Sequence, residues 1–239
     1  DIKGATCRKF AETRTPAIAR RALETLRAAV NYFHKEYGLD PVPAFTMPGK
    51  AEARERWLTR DEAARLIRAT RSMPHLRRFI LIGLYTGTRS GAILRLSWLT
   101  SVNSGWIDLE RGILYRIGAG QRKTKKRQTP AKIPPRLLAH MKRWRKIDGN
   151  IRHVVSWNGD SVQAVKKAFR HARERAGLDK DVIPHTLRHT CATWLMQAGV
   201  SQWDAASFLG MTMEVLDRVY SHPSSPDFQK AASEAIRRA

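Results

Sequence analysis

Four segments of the chain hold side chains that phosphoryl-transfer chemistry would want. In Thr86-Gly87-Thr88-Arg89 an arginine sits in a tight turn between two apolar runs, a partly shielded position for a guanidinium. Residues 121–127 read QRKTKKR, five cations in seven residues at the tip of an expected hairpin. His185-Thr186-Leu187-Arg188 sets imidazole and guanidinium three residues apart on one helical face. Val219-Tyr220-Ser221 puts a phenol after a short helix and before His222-Pro223. The guanidinium forks suit the charged oxygens of a phosphate in transit, an ammonium can protonate a leaving oxygen, and a phenol can attack.

Singly, each segment has an ordinary reading. Arg89 alone fits a structural ion pair or cap, and the basic hairpin fits a solvated or phosphate-touching surface. Tyr220 alone fits a core or interface tyrosine, while Trp194, Leu195, Trp203, Phe208 and Leu209 read as core. His185 and His189 have the i, i+4 spacing of a zinc pair, but no H-E-x-x-H glutamate lies between them and no third ligand is obvious, so no metal is expected.

The elements that must carry these segments follow from periodicity. Ile18, Leu23, Leu26, Ala29, Val30 and Phe33 recur at helical spacing before a glycine stop at Gly38. DPVPAFTMPGK (40–50) holds three prolines, which marks a boundary within 40–57. A helix starts at Thr59, where Thr59-x-x-Glu62 is a capping box. LRRFILIGLY (76–85) is a second, apolar helix, and a short third runs from Ser90 to Leu96. Residues 106–109 and 113–117 flank a Glu110-Arg111-Gly112 turn, a hairpin signal, and 128–133 adds a third strand. Helical patterns return from Pro135, then at 161–176, 185–198, 201–209 and 212–220, interrupted by a strand candidate at 153–157. Ser225 and Pro226 open an amphipathic tail helix with Phe228, Ala231, Ala232, Ala235 and Ile236 on one face.

Composition narrows the function class. With 44 Lys+Arg against 21 Asp+Glu among 239 residues the formal charge is +23, which calls for a polyanion: DNA, RNA or an anionic membrane surface. No apolar run approaches the ~18 residues of a membrane span, so an integral membrane protein is excluded. Two cysteines, Cys7 and Cys191, make no disulfide framework and suit a reducing cytosol. No secretory signal opens the chain; it starts with Asp rather than Met, as a fragment would.

Together and in this order, the four segments resemble the tyrosine recombinase family, the phage-integrase type of site-specific recombinase. The matching stretches are TGTRSGAILRLSW (86–98), KTKKRQTPAKIP (123–134), IPHTLRHTCATWLMQAG (183–199) and FLGMTMEVLDRVYSHPS (208–224). The resemblance implies a mainly α fold with a small antiparallel β-sheet (α+β). It divides the chain into part of a helical core-binding domain (1–45) with its beginning absent, a linker (46–57), a catalytic domain (58–224) and a C-terminal helix (225–239) that docks on a neighbouring subunit. An upstream arm-binding domain would not be part of this chain.

It also implies roles. Tyr220 is the nucleophile that forms a 3′-phosphotyrosyl bond, Arg89 and Arg188 hold the non-bridging oxygens, and His185 contacts the phosphate and helps proton movement. Lys123 is the general acid, with Lys125 and Lys126 as rivals. Arg122, Lys125, Lys126, Arg127, Arg20 and Arg21 are DNA-binding candidates, with Arg14 and Arg27 near the latter two; a solvated helix face is the equal alternative on the smaller domain. The implied partners are double-stranded DNA with attachment-type sites, a homo-tetramer, and accessory DNA-bending or directionality proteins, with no cofactor, ATP, metal or membrane. The implied setting is the cytoplasm of a bacterial or phage-infected cell, at the nucleoid, and the implied role is integration or excision of phage or mobile DNA.

Two positions depart from the family pattern. Met211 stands where the family usually has His or Trp donating to the phosphate, which predicts slower cleavage; His189 and His222 are candidates to compensate. Ala92 stands where an acidic residue often steadies the first arginine, so Arg89 needs another anchor. A type IB topoisomerase and a non-catalytic DNA-binding protein are the competing readings.

Overall fold

The computed structural model describes residues 2–49, 56–121 and 128–220, the last three as backbone only. The chain divides into two compact units, Asp1–Arg54 and Glu55–Ala239. In the first, α1 (Gly4–Glu12) and α2 (Pro16–Tyr37) pack as a pair around Cys7, Ala19 and Leu23. Pro16 takes the first helical position of α2, where its missing N–H costs nothing, and Gly38 closes the helix at φ 71°. The segment after it returns to the helices: Arg20 donates to Glu24 at 2.9 Å and to the Pro48 carbonyl at 2.6 Å. Arg21, Arg14 and Arg27 are exposed.

The second unit begins with α3 (Arg60–Ala69), whose capping box is formed as expected: the Thr59 hydroxyl accepts from the Glu62 N–H and the Glu62 carboxylate from the Thr59 N–H. The apolar helix α4 (Pro74–Thr86) runs through the core, with Leu76, Phe79, Ile80 and Ile82 fully buried. The short α5 (Ser90–Leu94) follows. Strands β1 (Trp106–Asp108), β2 (Ile113–Tyr115) and β3 (Ala131–Lys132) form an antiparallel sheet in the order β1-β2-β3. Trp106 lies opposite Tyr115, their rings stacked at 4.1 Å. After α6 (Pro135–Asp148) comes a second hairpin, β4 (Ser156–Trp157) with β5 (Asp160–Ser161), then α7 (Lys166–Arg175), α8 (Thr186–Gln197), α9 (Gln202–Leu209) and α10 (Met213–Tyr220). The fold is thus mainly helical with small antiparallel sheets, as the sequence led us to expect.

Helix α8 packs on α4, and Gly83 permits the close approach: a Cβ there would lie 2.9 Å from Leu187 Cδ1. The far end of α8 holds the start of the unit, where the Leu58 N–H donates to Thr190 Oγ1 and Trp194 Nε1 to the Leu58 carbonyl. Between α4 and α6, Arg78 and Asp148 form a buried bidentate pair at 2.6 and 2.8 Å, completed by Trp98 Nε1 on Asp148 at 2.8 Å.

Three expectations are corrected. The helix placed at 161–176 starts at Lys166, because Asn158 and Gly159 both take positive φ (51° and 89°) and turn 156–161 into a two-residue hairpin. The 153–157 strand correspondingly shrinks to two residues, with His153 left as an isolated bridge to Ser97. Trp203 is not core but 73% exposed, because α9 turns Ala205, Ala206 and Leu209 inward and leaves Trp203 outside that stripe. Leu209 is buried, while Trp194, Leu195 and Phe208 are partly so. The tail helix expected at 225–239 and the basic turn at 122–127 lie outside the described residues.

Candidate functional site

The site is built where α4 ends, α8 begins and α9 passes into α10. Helix α4 closes at Gly87, which takes the left-handed conformation (φ 59°, ψ 16°) and returns its N–H to the Gly83 carbonyl. A side chain would not fit there, since an added Cβ would stand 2.3 Å from Leu209 Cδ2. The turn is tied internally by a 2.7 Å contact between the Thr86 and Thr88 hydroxyls and by Thr86 Oγ1 donating to the Ile82 carbonyl at 2.6 Å. Arg89 therefore leaves a rigid corner, half-buried at the start of α5.

Arg188, on the first turn of α8, is 5% exposed and crosses to that corner. Its Nη1 donates to the Gly87 carbonyl at 2.6 Å and to the Leu209 carbonyl at 2.7 Å. Arg89 reaches the same second segment, with Nη2 3.4 Å from the Gly210 carbonyl. Both guanidiniums are thus anchored to backbone oxygens of the α9 end, separated from them by 21 and 121 residues in the chain. Ala92 is buried, so Arg89 takes a carbonyl as anchor where the family often offers a carboxylate. Burial weakens the hold of Arg89 on its proton, yet a guanidinium stays charged at neutral pH.

His185 is the cap residue of α8, edge-on to His189 at 4.8 Å. Partial burial, then the charges of Arg188 and Arg89, lower its affinity for a proton. His189 shifts further, down to about 4, through burial, His185 and Arg188. Both imidazoles are accordingly neutral near pH 7, able to donate from one nitrogen and accept at the other. Met211 is 5% exposed and packs with Cys191, Ala192, Leu209 and Leu216 in a second apolar cluster. Position 211 is thereby used for packing, and a thioether has no proton to donate.

Helix α10, which packs on α8 and α9, ends at Tyr220; the side chain of Tyr220 lies outside the described residues. So do Arg122, Lys123, Lys125, Lys126 and Arg127. What is described are the two stalks of their turn. On one side Gln121 accepts from the Gly118 N–H and donates to the Asn103 carbonyl at 2.7 Å. On the other, Thr129 Oγ1 donates to the Ser207 carbonyl of α9 at 2.6 Å.

One residue in this region escaped the sequence reading. Arg116 is 3% exposed and donates to Thr88 Oγ1 and to the carbonyls of Thr86, Phe208 and Thr129. Its signal was the strand alternation: Arg116 shares a face with Leu114, which is fully buried. A cation on the inward face is the anomaly that marks the position. Among the described residues no group of three His, Cys, Asp or Glu could hold a metal ion, and no helix is long and apolar enough to cross a membrane.

Comparison with known proteins agrees with this architecture. Tyrosine recombinase XerC of Pelotomaculum thermopropionicum is 27% identical over 243 residues, covering 93% of this chain and 76% of that protein. The integrase of Salmonella phage P22 is 29% identical over 201 residues, 77% of this chain, which spans about half (49%) of that relative. Among solved structures, the Tn1549 transposon integrase in complex with a circular intermediate DNA superposes with a TM-score of 0.74 at 18% identity, covering 99% of this chain and 86% of that one. A lambda integrase tetramer bound to a Holliday junction gives 0.69 at 21% identity, covering 92% and 64%. At such identities the structural likeness is one of fold. The sequence model described as the phage integrase family, however, matches residues 56–225, most of the chain and all four chemistry-bearing segments. The chain therefore belongs to the phage integrase family of tyrosine recombinases.

Proposed function

We propose that this chain is a site-specific recombinase that cleaves and rejoins duplex DNA through a 3′-phosphotyrosyl intermediate, integrating or excising phage or other mobile DNA. What supports the reading is one convergence: Arg89 and Arg188, with His185 beside them, meet on the Gly87 turn and the Leu209–Gly210 carbonyls, where the helix that ends at Tyr220 begins.

In this reading Tyr220 Oη attacks a backbone phosphorus and the P–O5′ bond breaks. The phenolic proton passes to the neutral imidazole of His185. The departing 5′ oxygen takes a proton from Lys123, or from its rivals Lys125 and Lys126. Charge that builds on the non-bridging oxygens falls to the guanidiniums of Arg89 and Arg188. They are held in place before the reaction, so no reorganisation is needed as the charge develops. One phosphodiester replaces another, so ATP hydrolysis has nothing to supply, and a 5′-hydroxyl from another strand reverses the step. The buried thioether of Met211 leaves one donor fewer than the family pattern, which slows cleavage.

The positive balance of +23 suits duplex DNA, and the lambda integrase tetramer on a Holliday junction supports a homo-tetramer as the working assembly, with accessory DNA-bending proteins setting direction. Residues 1–45 serve as part of a core-binding domain, with Arg21 on an exposed helix face toward DNA. Arg20 enters that role only by leaving Glu24 and Pro48. The tail helix joins neighbouring subunits.

The test is covalent trapping on nicked duplexes tiled across the DNA that flanks the gene, read on a denaturing gel with Tyr220→Phe alongside. An adduct that vanishes in the variant is the expected result. Salt-sensitive binding with no adduct on any duplex would replace this reading with a non-catalytic DNA-binding protein.

A further inference from the structure

Arg116 stands outside the set of residues assigned to the chemistry, yet it touches three of the four segments that carry them. Nε donates to Thr88 Oγ1 at 3.2 Å and Nη2 to the Thr86 carbonyl at 2.9 Å, both in the turn that presents Arg89. Nη2 also reaches the Phe208 carbonyl at 2.8 Å, on the last turn of α9 ahead of Gly210 and Met211. Nη1 donates to the Thr129 carbonyl, on the stalk that leaves the 122–127 turn. Thr129 Oγ1 closes the loop on the Ser207 carbonyl. The β2–β3 register sets Thr129 opposite Arg116, and the guanidinium ties that strand pair to the Arg89 turn and the α9 end.

All four acceptors are neutral oxygens, and among the described residues no carboxylate pairs with Arg116. A staple alone needs no charge. A buried cation matched only by carbonyls and a hydroxyl, with Arg188 and Arg89 adding like charge nearby, is costly until an anion arrives.

We propose that Arg116 is a positioning residue for strand transfer, holding the Arg89 turn, the α9 end and the exit of the lysine turn in one register, with a buried charge that favours a phosphate in the adjoining site. The proposal rests on the strand-transfer reading above. It differs from a purely structural role in one measurable respect. A staple changes how many molecules are folded, whereas a positioning residue changes how fast each folded molecule reacts.

The experiment is single-turnover adduct formation by the full chain on the trapping duplex at saturating DNA. Amplitude, rate constant and half-saturating DNA concentration are taken separately for wild type, Arg116→Lys, Arg116→Met and Thr88→Val. The expected rate constant falls on the order of 10²-fold in Arg116→Met, as for a misplacement of a reacting group by about 1 Å. It falls less in Arg116→Lys, which keeps the charge, and measurably in Thr88→Val, which keeps the volume and removes one acceptor. The half-saturating DNA concentration stays within about threefold, because the residue is buried and does not supply the bulk of phosphate contacts. Loss of amplitude at an unchanged rate constant would overturn the proposal and leave a staple. Arg116→Lys no faster than Arg116→Met would overturn its electrostatic half. If Arg116→Met does not fold, Thr88→Val decides: a wild-type rate constant overturns the register. A wild-type protein that forms no Tyr220-dependent adduct removes the strand-transfer reading itself, a result distinct from any of these.

Discussion

Gly87→Ala would strike the corner on which both site arginines depend, and its cost can be worked from geometry. The residue lies at φ 59°, so any L side chain there carries left-handed strain of about 1–2 kcal/mol. The new methyl would sit 2.3 Å from Leu209 Cδ2, far inside an ordinary carbon contact of about 3.5–4.0 Å, and such overpacking costs about 1–3 kcal/mol. The substitution should therefore destabilise the second unit by about 2–5 kcal/mol. Leu209 is fully buried, and Leu209→Ala alone should cost a similar ~2–5 kcal/mol by leaving a cavity. Combined, the clash disappears into the cavity while the left-handed strain stays. The double variant should thus be more stable than the sum of the singles by about 1–3 kcal/mol. Urea denaturation of the three variants measures this coupling. Additivity within about 0.5 kcal/mol would show that the two side chains do not oppose each other and would refute the packing argument for glycine at this corner.

Two further outcomes follow from the described geometry. Asp148→Ala leaves the Arg78 guanidinium buried without its carboxylate and Trp98 Nε1 without its acceptor. Urea denaturation should show a loss of about 3–5 kcal/mol, and a loss under about 1 kcal/mol would contradict a buried pair. His189, held neutral down to about 4 against its usual 6.5, binds fewer protons folded than unfolded between those values, so stability rises with pH across that window and is lost as pH falls through it. Because the ring still meets some solvent, the contribution is discounted to about 1–2 kcal/mol. His185 and His75 shift in the same direction, so the measurement is a difference. Between pH 7 and pH 4.5 wild type should lose more stability than His189→Gln, and parallel losses would refute the assignment.

The parts of this protein that could be read directly from sequence are those set by short-range physics. The Thr59–Glu62 box spans three residues, so its two hydrogen bonds are specified wherever the chain goes. The glycine stop at Gly38 and the glycine of the Thr86-Gly87 turn both take positive φ, a local property of the residue. The apolar run of α4 and the alternation around Gly112 declare a buried helix and a hairpin, and the ordered placement of Arg89, His185, Arg188 and Tyr220 declares the family. Even the β4–β5 hairpin carried a local signal, the Asn158-Gly159 pair, which the helical pattern downstream concealed.

Tertiary structure decided what depends on partners far along the chain. Asp148 binds residues 50 and 70 positions away, and no local pattern says that the charge of Arg78 will be buried against it. Trp203 reads as core until the packing of α9 on α8 turns it outward, and Met211 reads as a lost donor until the apolar cluster around Leu209 gives it a place. Arg116 is the clearest case: its strand position was legible, but its four acceptors come from segments up to 92 residues away. Sequence determines which groups the chain brings. Which of them lose water and must then find hydrogen-bond partners is fixed only when the helices and the sheet close around them.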